Sequence, residues 1–414
     1  MTGVPSVDSA AVARAAWARA TKALSEQDLA AARREADRAA GSWPVQPSYL
    51  WADAVLAARA SDTATTLRAL DAYAKLGLGR NLRADSTFKQ FESLAWFTNL
   101  AAAHDANRSA MVRSRERARL SDSTFWAEGV DFDPRTGRFY VASIRHRTIA
   151  ELSPDGSSRE LWSRDGAAVG AMLGVRVDTA RGVIWATTSG IPQMVNHVAA
   201  DSTVAALLRI RIRDGAIERR WDLPVVPGGH VLGDLAIGPR GDVFMTDSNE
   251  PVLYRMRPGA DTLEATRSAL FRSLQGIAPS PDGRLAYVAD YSHGILRVDL
   301  TTGEVTRVDD APASTSLGVD GIVWDRGAII AVQNGVAPAR VMRFVLDTSG
   351  RRFSRAEVFD RNIPLADEPT IGTIAGDEYV YVANSQWEKY DEAGRRIASQ
   401  ALTGARLLAV PLPR

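Results

Sequence analysis

Gln275-Gly-Ile-Ala-Pro-Ser-Pro-Asp-Gly-Arg-Leu-Ala-Tyr-Val-Ala-Asp290 decides how the rest of the chain is read. An apolar start around a glycine runs into a Pro-Asp-Gly turn, and a β-rich run follows, ending in aspartate. This is hairpin chemistry: the turn residues end one strand and alternation resumes in the next. The phrase recurs, with variation, from Glu128 to Ser143, from Leu173 to Thr188, from Gly233 to Asp247, from Asp320 to Asn334 and from Pro369 to Asn384. Successive starts lie 45, 60, 42, 45 and 49 residues apart. Such a step leaves room for a further strand pair after each phrase, as in Gly294–Leu300 and then Glu304–Val308, and so for four strands per repeat. Six repeats predict a six-bladed β-propeller over residues 116–414. The long second step matches an insertion around Ile191–Val198.

The first part of the chain has a different period. Residues 8 to about 108 are rich in alanine, leucine and arginine, which are good helix formers. Gly41 and Pro44 end one helix; Pro47–Ala60 and Asp62–Leu76 make a second pair; residues 85–104 suggest a third. Trp17 and Trp51, Ala18 and Ala52, and Ala40 and Ala74 are each 34 residues apart, the period of tetratricopeptide-like helical hairpins. The expected class is therefore α plus all-β: helical hairpins and a linker over 1–115, then the propeller. The basic run at 109–122 reads as a solvated hinge.

Composition narrows the chemistry. The 414 residues include 50 basic and 49 acidic side chains, for a net charge of +1. Nucleic-acid binding is not expected from that balance. With no cysteine there is no disulfide, zinc–cysteine site or thiol nucleophile. The five histidines show no metal-binding spacing. No apolar run approaches the roughly 20 residues that span a bilayer, and Met1-Thr-Gly-Val-Pro5 lacks the layout of a secretory signal. A soluble protein is expected, either cytoplasmic or exported with its signal removed.

In a propeller the first strand of each blade lines the axis, so phrase starts far apart in sequence meet at one mouth. Those starts are Glu128, Leu173, Gly233 with Asp234, Gln275, Asp320, and Pro369 with Thr370. Carboxylate and amide oxygens are hard ligands that suit Ca²⁺, Mg²⁺ or Mn²⁺. Crowded carboxylates without a cation would repel until one took a proton. Past the second strands lie Arg145, His146, Thr188, Ser189, Asp247, Asn249, His293, Asn334, Asn384 and Gln386, the candidate substrate contacts. Aspartates such as Asp234 and Asp320 can also serve only to hold turn N–H groups. Trp126, Trp162, Trp185, Trp221 and Trp324 are expected to pack the blades.

Glu128-Gly-Val-Asp-Phe-Asp-Pro134, Val319-Asp-Gly-Ile-Val-Trp-Asp325 and the 275–290 phrase resemble the SMP-30/gluconolactonase/luciferin-regenerating-enzyme family over residues 125–414. More distantly the chain is similar to strictosidine-synthase and paraoxonase-type propellers. The family resemblance implies a divalent-metal-dependent hydrolase of a lactone or ester. Glu128, Gln275 and Asp320 would hold the ion, calcium first, with Mg²⁺, Mn²⁺ or Zn²⁺ as alternatives. Asp320 would also act as the base, and Asp234, Arg145, His146, His293 and Asn334 would contact substrate. The sequence departs from the family pattern at Gln275, where the family has asparagine, and at Gly233, where an asparagine side chain is lost. A non-catalytic ligand- or protein-binding propeller, with the helices as a docking module, is the alternative.

Overall fold

The structure, a computed structural model, describes residues 7–161 and 169–413; Trp162 lies outside them. Helices α1 (Val7–Ser25), α2 (Leu29–Ser42), α3 (Pro47–Arg59) and α4 (Thr63–Lys75) form two antiparallel hairpins, and α5 (Ala95–Arg108) packs on α4. Asp28 and Asp62 cap α2 and α4 by accepting from the N–H groups of Ala31 and Thr65. Ala13, Ala16 and Ala20 of α1, with Ala32, Ala36 and Ala39 of α2, are all fully buried, so small side chains set the close approach of this hairpin. Where a third helical pair is expected, a single 3₁₀ turn, Ser86–Phe91, precedes α5. It tucks Phe88 and Phe91 under Leu70 and Phe97.

The remainder is six four-stranded antiparallel sheets. The inner strands of blades one to five are Ala127–Asp133, Ala171–Asp178, Leu235–Ile237, Leu274–Pro279 and Ile322–Asp325. Blade six is built from Gly372–Ala375, Glu378–Val382 and Arg406–Pro411, and its fourth strand is Arg115–Arg119. The expected basic hinge is thus in part the strand that closes the ring. Its residues show why it reads as a linker: an outer edge strand faces water and carries charge instead of apolar alternation. Arg115 pairs with Glu378 at 2.9 Å, and only Ala118 packs against the core.

The apolar clusters lie between neighbouring blades. Val130, Phe139 and Val141 of blade one pack on Val380, Leu407 and Ala409 of blade six. Trp185 and Trp221 of blade two stack with centroids 5.4 Å apart, beside Met245 and Tyr254 of blade three. Trp126 is fully buried, and Trp324 is half-buried against Tyr287. These tryptophans pack the structure, as expected.

Ring closure explains the glycine of the recurring phrase. A β-carbon at Gly129 would sit 2.2 Å from Leu173 O, one at Gly276 2.5 Å from Ile322 N, and one at Gly321 2.7 Å from Ile371 Cα. Inner strands meet backbone to backbone there, and no side chain fits between them.

Candidate axial site

The phrase starts of blades three, five and six make the same backbone bond to the second strand of their own blade. Asp320 N donates to Val332 O, Gly233 N to Thr246 O and Thr370 N to Val382 O. Thr370 also donates from Oγ1 to Glu128 O, 3.2 Å away, which ties blade six to blade one.

Glu128 and Asp320 are the centre of the group. Both are buried. Burial raises the Glu128 pKa first, the Asp320 charge raises it further, and hydrogen bonds from Ser385 and Trp387 oppose the rise. Asp320 is raised for the same first reason, with Asp234 adding to it and the Asn334 hydrogen bond opposing. Two buried carboxyl groups that feel each other do not both ionise readily without a compensating charge.

Each carboxyl is anchored by one oxygen. Ser385 Oγ and Trp387 Nε1 (3.0 Å) both donate to Glu128 Oε2. Gln386 lies between these donors with φ of 76°, and Trp126, two residues before Glu128, has φ of 45°. Left-handed backbone at non-glycine residues on both sides of Glu128 is strain of the kind that functional sites concentrate. Asn334 Nδ2 donates to Asp320 Oδ2 at 2.7 Å and to Pro369 O at 2.9 Å, while its Oδ1 accepts from Tyr291 at 3.0 Å. Among the described residues no hydrogen bond reaches Glu128 Oε1 or Asp320 Oδ1.

Gln275 is half-buried; its Nε2 donates to Ser273 Oγ at 3.1 Å. Its Oε1 lies 3.8 Å from where a β-carbon at Gly233 would be. The longer amide at 275 therefore leans toward the space left by the missing side chain at 233. Asp234 has other partners: Arg176 pairs with it at 3.2 Å, and Leu235 N donates to it at 2.8 Å. Tyr379 is fully buried with no partner for its hydroxyl. Desolvation raises its pKa; Arg176 opposes this, while Asp234 and Asp320 add to it.

Of the expected substrate contacts, Asn334 joins the group directly. Arg145 instead holds Gln193 O (3.0 Å) and Gly394 O (3.3 Å) and lies over Tyr390. His146 meets Thr124 at 3.0 Å and lies 3.9 Å from Glu160 on the outer strand of its blade. His293 is buried beneath the helices, 2.6 Å from Arg14. Thr188 and Ser189 accept backbone N–H groups of Gly170 and Leu232, Asp247 pairs with His230, and Asn384 holds Gly404 O.

Sequence reasoning missed Ser385, Trp387 and Tyr291. The first two flank Gln386 in Asn384-Ser-Gln-Trp387, directly after the sixth phrase, and that position was the available signal. Glu368, also missed, is pushed up to about 7, by burial first, and adds negative charge near Glu128.

The SMP-30/Gluconolactonase/LRE-like region matches residues 126–379 of the sequence. The chain belongs to this family. The six-bladed fold and the preceding helices agree with the sequence-based expectation. No curated protein sequence matches. Similar solved structures include the calcium-binding protein regucalcin from Agrobacterium tumefaciens, 19% identical, covering 72% of this chain and 98% of that one with a TM-score of 0.48. A gluconolactonase from Xanthomonas campestris is 18% identical, covering 74% and 98%, with a TM-score of 0.47. Virginiamycin B lyase from Staphylococcus aureus is 18% identical, covering 65% and 80%, with a TM-score of 0.46. These likenesses concern the fold.

The SMP-30 family implies a divalent cation, and the donor chemistry fits one. Two carboxylate oxygens and one amide oxygen form a hard set. The mutual repulsion of Glu128 and Asp320 is the charge a cation would offset. Among the described residues no cluster of three or more His, Asp or Glu side chains is arranged to hold a metal, so Gln275 would have to contribute.

Proposed function

We propose that the chain is a divalent-metal-dependent hydrolase of a small lactone or ester, working at the axial mouth. The supporting observation is the buried pair Glu128 and Asp320, each anchored through one oxygen, with no hydrogen bond to the other among the described residues. Glu128, Gln275 and Asp320 would hold the ion, which when bound supplies Lewis-acid polarisation of the substrate carbonyl. Asp320 accepts the proton of the attacking water. Asn334 keeps Asp320 aimed, and Ser385 and Trp387 keep Glu128 aimed.

A binding-only propeller is the second reading. It is favoured by Gly233, which removes a polar side chain from the mouth, and by Arg176, which neutralises Asp234.

One experiment separates the two. Hydrolysis of a panel of γ- and δ-lactones and aryl esters is measured with Ca²⁺, Mg²⁺, Mn²⁺ or Zn²⁺, for the native protein and for Asp320→Asn. We expect metal-stimulated turnover that falls at least about 100-fold in the variant. No turnover with any ion, or equal turnover in the variant, supports the second reading.

A further inference from the structure

A second site lies where the helices meet the propeller. A cleft of about 390 Å³ opens between α1, α3 and the rim of blades four and five. Its volume is in the range of small-molecule pockets. Arg14, Trp17 and Tyr49 form one wall, and Arg272, Tyr291 and His293 the other. Trp17 and Tyr49 are stacked with centroids 5.1 Å apart, and Tyr291 is 37% exposed. The walls are aromatic and the only fixed charges on these six residues are two guanidinium groups.

Neither guanidinium has a carboxylate within 4.0 Å among the described residues. Arg14 meets His293 Nε2 at 2.6 Å. A guanidinium only donates, so that ring nitrogen accepts, and the imidazole proton sits on Nδ1, 3.4 Å from Asp290. Asp290 itself is fully buried and already accepts from the backbone N–H groups of Arg272, Ser273, Ser292 and His293. The Arg272 side chain donates to its neighbour's carbonyl, Phe271 O, at 3.0 Å. Burial, then the nearby Arg272 charge, disfavours the charged form of Arg14, while Tyr49 and the Asp290 carboxylate oppose this. Two like charges held together beside stacked rings are stabilised by an oxyanion between them and a flat apolar body beside it.

We propose that this cleft binds a small aromatic oxyanion, a carboxylate or a phosphate ester on a planar ring system. The cleft exists because the helical hairpins are present, and propeller loops alone supply only half of it. Tyr291 belongs both to its wall and, through Asn334, to the bonding of Asp320. The site stands whether or not the axial carboxyls hydrolyse anything.

The test uses the full chain and isothermal titration with three probes of one shape: 2-naphthoate, 2-naphthyl phosphate and neutral 2-naphthamide. We expect saturable one-to-one binding of at least one anion and binding about tenfold weaker or worse for the amide. The tighter anion identifies the head group. Arg14→Gln and Arg272→Gln should each weaken the anion about tenfold. Arg272 and Ser292 are exposed, so Arg272→Gln and a cleft-filling Ser292→Trp keep the test valid if Arg14→Gln fails to fold. Absence of binding by both anions, equal binding of the amide, or unchanged binding in Arg272→Gln and Ser292→Trp overturns the proposal.

Discussion

At the level of single side chains, the site is a contest between burial and charge. Glu128 and Asp320 bind protons more tightly folded than unfolded, because burial raises both, with the Asp320 charge adding to it at Glu128 and the Asp234 charge at Asp320. The sign follows from linkage: this stability is full below the ordinary carboxylate range and is lost as pH rises through the raised values. Without added metal, the melting temperature should fall from pH 5 to pH 8, and Glu128→Gln should flatten that fall. At pH 8 the variant should melt at least about 2 °C above the native protein. A steeper fall in the variant would contradict the burial argument. Ser385 and Trp387 favour the ionised form of Glu128, so Ser385→Ala and Trp387→Phe should move the acidic limb of the rate–pH profile upward, with a loss of about tenfold in kcat/KM. Glu128, Asp320 and Asn334 were legible because a repeat aligns them. Ser385, Trp387 and Tyr291 were not, since their role depends on which neighbour a loop reaches. His146 and His293 look like site residues by type, yet their loops turn them to the blade's outer strand and to α1.

At the level of elements, the phrase that predicted the blades also carries the packing constraint that closes them. The repeat shows the glycines, but the reason for them is contact between strands in different blades. Gly276→Ala and Gly321→Ala should cost about 3 kcal/mol or more, because the added carbon meets backbone atoms that cannot yield. Gly233→Ala should stay within about 0.5 kcal/mol, since its β-carbon would meet only Gln275 Oε1 at 3.8 Å. Chemical denaturation of the three variants checks both statements, and equal losses in all three would refute the distinction. The closing strand was invisible for the opposite reason. Arg115-Glu-Arg-Ala-Arg119 has no apolar alternation, and only its pairing with Arg406–Pro411 makes it a strand.

At the level of the whole molecule, the helices are seated on the rim. Leu317 and Val336 of the propeller enter the apolar cluster of α1–α4. Arg340, fully buried and with its pKa lowered to about 10, by burial first, donates to Leu76 O and Gly77 O at 3.1 and 3.3 Å. The sequence shows two textures but not this docking, which joins residues some 260 positions apart. Removing residues 1–109 should leave a folded propeller with a lower melting temperature. Removing residues 1–120 takes the closing strand as well and should give an aggregating protein, because blade six is left with an open edge. Size-exclusion chromatography of the two truncations decides this, and equal behaviour would deny the strand its role. The axial assignment is tested most directly by titrating Ca²⁺ into chelator-treated protein. One ion should bind per chain, with affinity lowered at least about tenfold in both Glu128→Gln and Asp320→Asn; no binding by the native protein, or the same isotherm in all three, would contradict it.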